Sequence, residues 1–194
     1  MPLTTPRELF VHELADAMSA EHIILGMLPE LAEEATHPEL QKALRDHEKE
    51  TRQQVKNLEE VFKALGEQPD PTTCFAAEGL QKEHQALHEE EPAPAILQMA
   101  NVAAQAKTES YEIATYTALV RMAKDQGERE IARLLQENLD QEKEMAKRVE
   151  AVAKALGDEV KAAAKEALLA EKEAEKGRKA GEKRAKDEER ARAA

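Results

Sequence analysis

Tryptophan is absent and aromatic residues amount to only 3% of the chain. Ala, Glu, Lys, Leu and Gln dominate instead, and these lose least on entering a helix, so an all-helical chain follows. The lone cysteine, Cys74, excludes an internal disulfide, and the stretch from Met1 to Arg7 lacks the apolar segment of a secretory signal; the chain is read as cytoplasmic. No run approaches the roughly 20 apolar residues needed to span a bilayer. With a mean hydropathy of -0.68, membrane insertion is excluded. Positive charge is scarce: 28 basic against 40 acidic residues give a net charge of -12. A phosphate-binding surface would need a local basic patch, so nucleic acid is not favoured and cations are the natural partners.

The 194 residues suit one domain plus an appendage, because a single core is built from about 100 to 150 residues. Thr5-Pro6-Arg7-Glu8 is a capping box with Pro at the first helical position, and the helix it starts runs to about Ala35 with a bend at Pro29. Thr36-His37-Pro38-Glu39 repeats the start signal and Gly66 stops the second helix, so a short connection makes these two antiparallel neighbours. Pro69-Asp70-Pro71 marks a crossover, followed by a short helix over about Cys74 to Glu90. Pro92 and Pro94 open a third long helix at about Ala95 that Gly127 ends; a fourth runs from about Glu128 to Leu156 before Gly157. The expected architecture is an antiparallel four-helix bundle over residues 1–157. Residues 158–194 form a charged tail rich in Ala, Lys, Glu and Arg, partly helical or disordered, with Gly177 and Gly181 as interruptions. Its interleaved acids oppose a nucleic-acid role and favour a solvated extension.

The seams of these helices carry acids where a core requires apolar groups. In the fourth helix Ile131, Leu135, Asn138, Glu142, Met145, Val149, Val152 and Leu156 follow a bundle spacing, with Glu142 in the middle. The first helix reads Phe10, Leu14, Ala17, Glu21, Ile24, Leu28 and Leu31, centred on Glu21. The second reads Leu40, Ala43, His47, Glu50, Gln54, Leu58, Val61 and Leu65, polar at its centre. The third reads Val102, Ala106, Glu109, Ile113, Tyr116 and Val120, with Glu112 one turn from Glu109. Any single Glu in a Glu-rich helical chain sits more often on a solvated face. The same interruption at the midpoint of four helices is what brings the acids to one level. Ionised carboxylates in a desolvated centre cost many kcal/mol unless a cation stands among them. Only Lys49 and Arg52, on the flanks of the second helix, are basic at that height. A divalent metal is the economical solution, and oxygen ligands with one imidazole suit iron or manganese better than zinc, with magnesium and calcium left open. His47 alone reads equally well as a satisfied histidine. His84 and His88 read as exposed residues one turn apart, Tyr111 and Tyr116 as packing residues with a hydrogen bond to a carboxylate as the lesser alternative, and Cys74 as buried rather than reactive.

Four segments carry a family likeness: Leu14 to Glu21, His47-Glu-Lys-Glu50-Thr51, Glu109-Ser-Tyr-Glu112-Ile-Ala-Thr-Tyr116, and Leu135 to Lys143 with Glu142 in it. Together they resemble the YciE/YciF stress-response branch of the ferritin-like superfamily over about residues 6 to 157. The resemblance implies a ferritin-like bundle, a dinuclear metal site, a homodimer and induction under stress. By motif position it implies Glu21, Glu50, Glu109, Glu112 and Glu142 as ligands, with His47 as a nitrogen donor. The general ferritin-like pattern places a His three residues after the Glu of two helices, whereas Gln53 and Met145 stand here.

Two functions compete. In the first, a dinuclear iron or manganese centre oxidises ferrous iron or consumes peroxide, as a ferroxidase or peroxide-consuming oxidoreductase with no catalytic residue distinct from the metal ligands and with oxygen or peroxide as partner. In the second, the bundle is a non-enzymatic binding or scaffold protein with a structural metal and a partner-recruiting tail. Acids at seam positions where Leu would serve a purely structural bundle favour the first.

Overall fold

A computed structural model describes the backbone of residues 3–193 and the side chains of residues 3–162, 165, 166, 168 and 172. Five helices follow in order: α1 (Pro6–Glu34), α2 (Pro38–Leu65), α3 (Phe75–Glu89), α4 (Pro94–Asp125) and α5 (Arg129–Ala193). No strand occurs among the described residues, and no helix there is long and apolar enough to cross a membrane. The capping box forms: Thr5 Oγ1 accepts from the Glu8 N–H at 3.1 Å and Glu8 Oε2 accepts from the Thr5 N–H at 2.8 Å. The second start signal works differently. The residue flanking α2 is His37, without a side-chain cap, because Thr36 is held elsewhere: its N–H donates to Gln98 Oε1 of α4 at 2.8 Å.

Side-chain pairings give the topology. Arg7 Nη2 reaches Leu65 O and Gln41 Nε2 reaches Ala32 O, so α1 and α2 run antiparallel. Glu50–Arg148, Gln54–Glu142 and Asn57–Asn138 pair in descending order and make α2 and α5 antiparallel. Gln98 meets Glu34 while Tyr116 meets Glu21, which sets α4 antiparallel to α1. The crossover leaves α2 at the Arg7 end, passes mid-α1 where the Cys74 N–H donates to Ser19 Oγ at 3.0 Å, and delivers α3 to the opposite end, where His88 faces Glu34. Two hairpins joined by a climbing crossover form a ring of four long helices.

Phe10, Leu14, Leu58, Phe62, Leu119, Ile131 and Leu135 pack one half of the core. Leu28, Leu31, Leu40, Leu44, Met145, Val149 and Val152 are buried as well. The expected α4 stripe needs one correction. Ala106 is exposed and Gln105 takes the inward position, because Gln105 serves a neighbouring carboxylate and alanine offers little to bury.

The chain divides into two compact units, Met1–Ala153 and Lys154–Ala194. The expected helix end at Gly157 does not occur: α5 remains helical through Gly157, Gly177 and Gly181. One glycine costs a helix only about 1 kcal/mol, and strong helix formers surround each of the three. In the second unit Asp158 also receives Lys154 at 3.2 Å and Lys161 at 3.4 Å, the helical neighbour spacings.

Gly66 and Gly157 therefore answer oppositely to alanine. Gly66 holds a φ of 71° and Gly157 is helical, and an added Cβ meets nothing within 4 Å at either. Gly66→Ala is expected to destabilise the bundle by about 1 kcal/mol, and Gly157→Ala to raise helix stability by about 0.5–1 kcal/mol. Urea melts followed by circular dichroism check both signs.

Candidate metal centre

The seam acids converge. His47, Glu109, Glu112 and Glu142 each offer one ligand atom, and these atoms lie within 4.8 Å of one another. All four side chains are buried, His47, Glu109 and Glu142 with 0% exposure. His47 Nε2 stands 3.4 Å from Glu109 Oε1 and 3.8 Å from Glu142 Oε2, while its Nδ1 is 3.6 Å from Glu50 Oε2. Glu21 joins from α1, 1% exposed, and its Oε1 accepts from Tyr116 O–H.

Three of the buried acids are held by one oxygen and left open at the other, and Glu112 is open at both. Gln54 Nε2 donates to Glu142 Oε1, Gln105 Nε2 to Glu109 Oε1 and Tyr116 O–H to Glu21 Oε1. Glu21 Oε2, Glu109 Oε2, Glu142 Oε2 and both Glu112 oxygens have no hydrogen-bond partner, nor has either ring nitrogen of His47. Native interiors leave few buried polar atoms unpaired, so seven in one place are a donor set that could hold a cation.

The electrostatics agree. Burial first, then the charge of Glu142, pushes the Glu21 carboxyl up to about 8. Burial pushes Glu109 up to about 7, against the hydrogen bonds it accepts. Glu112 and Glu142 are also raised well above the carboxylate range, chiefly by burial; at Glu112 the charges of Glu142, Glu21 and Glu109 add to it. Without a counter-ion, the cluster favours protons.

Glu50 differs from the other five expected ligands. Arg148 donates to both its oxygens, at 3.1 and 3.0 Å, and its side chain is 25% exposed. Burial works to raise its pKa, but His47 and Arg148 outweigh it and hold the group below the usual range. The expectation that only Lys49 and Arg52 are basic at this level is thus corrected. Those two bind surface Asp46 and Glu48 at 2.8 and 2.7 Å, whereas Arg148 reaches inward because its long stem crosses from the flank of α5 to the edge of the site.

Among the other residues singled out in the sequence, Cys74 is buried as expected, Tyr111 and Tyr116 take the lesser of their two readings, and His84 departs. Tyr116 is a hydrogen-bonding member of the site as well as a packing residue, since it also accepts from Asn138 Nδ2 at 3.0 Å. Tyr111 binds Asp16 at 3.0 Å and Cys74 Sγ at 2.9 Å, and Cys74 is buried with its thiol pushed up by burial. His84 is not exposed: its side chain is 7% accessible and packs beside Glu34. The orienting amides Gln54, Asn57, Gln105 and Asn138 are all buried. Gln54 and Asn138 stand on the seams of the sequence. Gln105 was hidden because Ala106, one position on, fits the stripe equally well.

The family described as a domain of unknown function, DUF892, matches residues 5–165. Protein YciF of Escherichia coli (strain K12) is 33% identical over 144 residues, covering 74% of this chain and 87% of YciF. The crystal structure of the E. coli stress protein YciF superposes with a TM-score of 0.77 at 30% identity, covering 80% of this chain and 99% of that one. YcfI of Rhodopseudomonas palustris, described as a candidate structural protein, superposes with a TM-score of 0.73 at 36% identity over 76% of this chain and 94% of its own.

The raised pKa values fix a pH dependence. Glu21 at about 8 and Glu109 at about 7 exceed the ordinary carboxylate value of 4.5, so the folded chain binds protons more tightly than the unfolded one between these limits. The stability contributed is full below the unfolded value and is lost as pH rises through 7 to 8. Chelator-treated protein should accordingly lose about 5–10 °C of Tm between about pH 5.5 and about pH 8.5, and Glu112→Gln should flatten that slope. A level or rising Tm in scanning calorimetry would remove the buried acids from the argument.

Proposed function

This chain belongs to the DUF892 family, and on that premise we propose that its buried cluster holds a pair of iron ions, or of manganese ions, with which it oxidises ferrous iron or consumes peroxide in a stressed cell. The observation that carries the reading is the set of five unpartnered carboxylate oxygens around one imidazole. Hard oxygens in that proportion suit iron or manganese, whereas zinc sites use more His or Cys. His47, Glu109, Glu112 and Glu142 would hold the ions, with Glu21 and Glu50 at the sides. Bound iron or manganese would supply electron exchange with oxygen or peroxide.

The chain's own residues provide orientation and exclusion of water. Gln54, Gln105 and Tyr116 each fix one carboxylate by a single oxygen, which presets the second oxygen as a ligand and limits the reorganisation needed on binding. Leu14, Leu28, Leu58, Leu135 and Met145, none more than 1% exposed, keep the interior on either side dry and strengthen every charge interaction inside. Arg148 neutralises Glu50 at the rim, where that acid can remain ionised.

The description of the Rhodopseudomonas relative favours a second reading, in which the metal only stabilises the bundle and residues 158–194 recruit a partner. Peroxide consumption separates the two. Iron-loaded protein is expected to consume peroxide, and Glu109→Gln with Glu142→Gln to lose both bound iron and at least about tenfold of that rate, the order of effect of losing metal-site groups. Elemental analysis and peroxide assays check it. Equal rates with and without metal, together with a Tm that drops on chelation, would decide for the scaffold.

A further inference from the structure

A second cluster of metal-ligating side chains lies at the far end of the bundle, about 20 Å along α1 from Glu21 at the helical rise. His84 and His88 stand one turn apart on α3 and face Glu34, the last residue of α1; one ligand atom of each lies within 4.8 Å of the others. Glu34 is 3.1 Å from His88 Nε2 and 3.7 Å from His84 Nε2. Two ligands on one ion at about 2.0–2.2 Å are separated by about 3.0–3.5 Å, depending on the bond angle, so these spacings are already nearly those of a chelate. From the facing helix, Asn101 of α4 donates Nδ2 to Glu34 Oε2 at 3.1 Å and presents Oδ1 to His84 Nε2 at 3.1 Å.

Burial is the independent observation. His84 is more than nine-tenths buried and lines a cavity of about 170 Å³ whose walls include Leu31, Leu80 and Leu87. A leucine would fill that position at no cost in desolvation, yet an imidazole occupies it with its Nε2 aimed at a carboxylate and an amide oxygen. His88, 35% exposed, opens the cluster to solvent and gives an ion a way in.

We propose that Glu34, His84 and His88 form a second metal site, distinct from the central cluster, that takes one borderline divalent transition ion of the zinc or ferrous type. Two imidazoles and one carboxylate are the donor set such ions select, in contrast to the oxygen-rich centre. Asn101 Oδ1 accepts the His84 N–H when no ion is bound and stands close enough to serve as a fourth oxygen ligand when one is. On ion binding each ring moves its remaining proton from Nε2 to Nδ1. The ion then ties α3, the crossover helix, to the end of α1.

The test uses the full chain, stripped of metal by chelation and titrated with Zn2+ and Co2+. Protein carrying Glu109→Gln and Glu142→Gln is the parent, so that the central cluster does not mask the result. The parent is expected to bind one Zn2+ per chain and to give Co2+ visible bands of a nitrogen-containing site. Adding His84→Gln and His88→Gln should weaken Zn2+ binding at least about tenfold and abolish those bands. Failure of the parent to bind, or unchanged binding after the histidines are replaced, overturns the proposal. Should the fourfold variant not fold, the imidazole 15N resonances of His84 and His88 in the wild-type chain decide: Zn2+ must convert both rings to the Nδ1–H tautomer, and rings that do not respond overturn it. Neither outcome bears on the central site, which Glu109→Gln and Glu142→Gln take out of the titration in parent and variant alike.

Discussion

Carboxyl groups gathered in a dry interior govern this molecule. Glu21, Glu109, Glu112 and Glu142 are essentially inaccessible to solvent, and they cannot all ionise there unless a cation stands among them. The rest of the design answers that constraint. Amide and phenol donors hold one oxygen of three of the acids, a guanidinium takes the acid at the rim, and the apolar layers on both sides supply the burial that offsets what remains.

The same constraint explains the division of labour among polar residues. Gln54 and Gln105 donate only by their amide nitrogens, so each fixes an oxygen without adding a charge; a Lys or Arg in either place would have cancelled the acid and closed the site to an ion. Arg148 does cancel its acid, and it does so at Glu50, the acid the solvent can reach. Charge compensation by protein is thus confined to the boundary, and the interior carboxyls are left for protons or a cation to neutralise.

Much of this was legible in the sequence because seam spacing is a strong signal. Phe10, Leu14, Glu21, Ile24 and Leu28 on α1, like Ile131, Leu135, Asn138, Glu142 and Met145 on α5, are buried as their periodicity requires. Convergence of the acids followed from helix midpoints alone. What was not legible depended on long or adaptable side chains and on pairs distant in the chain. Arg148 lies off the seam of α5 and comes inward only by the length of its stem. His84 and His88 showed no periodic apolar context, and their meeting with Glu34 arises from the path of the crossover, which spacing within one helix cannot reveal. The continuation of α5 past Gly157 shows a single helix breaker outweighed by its neighbours.

The order of these groups along the chain constrains how the cluster can be born. The α1–α2 hairpin supplies Glu21, His47 and Glu50, and the α4–α5 hairpin supplies Glu109, Glu112 and Glu142. A nascent chain leaving the ribosome therefore exposes its first three groups to water long before the other three exist, and neither half alone can compete with the solvent for an ion. The cluster is complete only once one hairpin clasps the other, so an ion it takes would be a late guest of synthesis rather than a nucleus for folding.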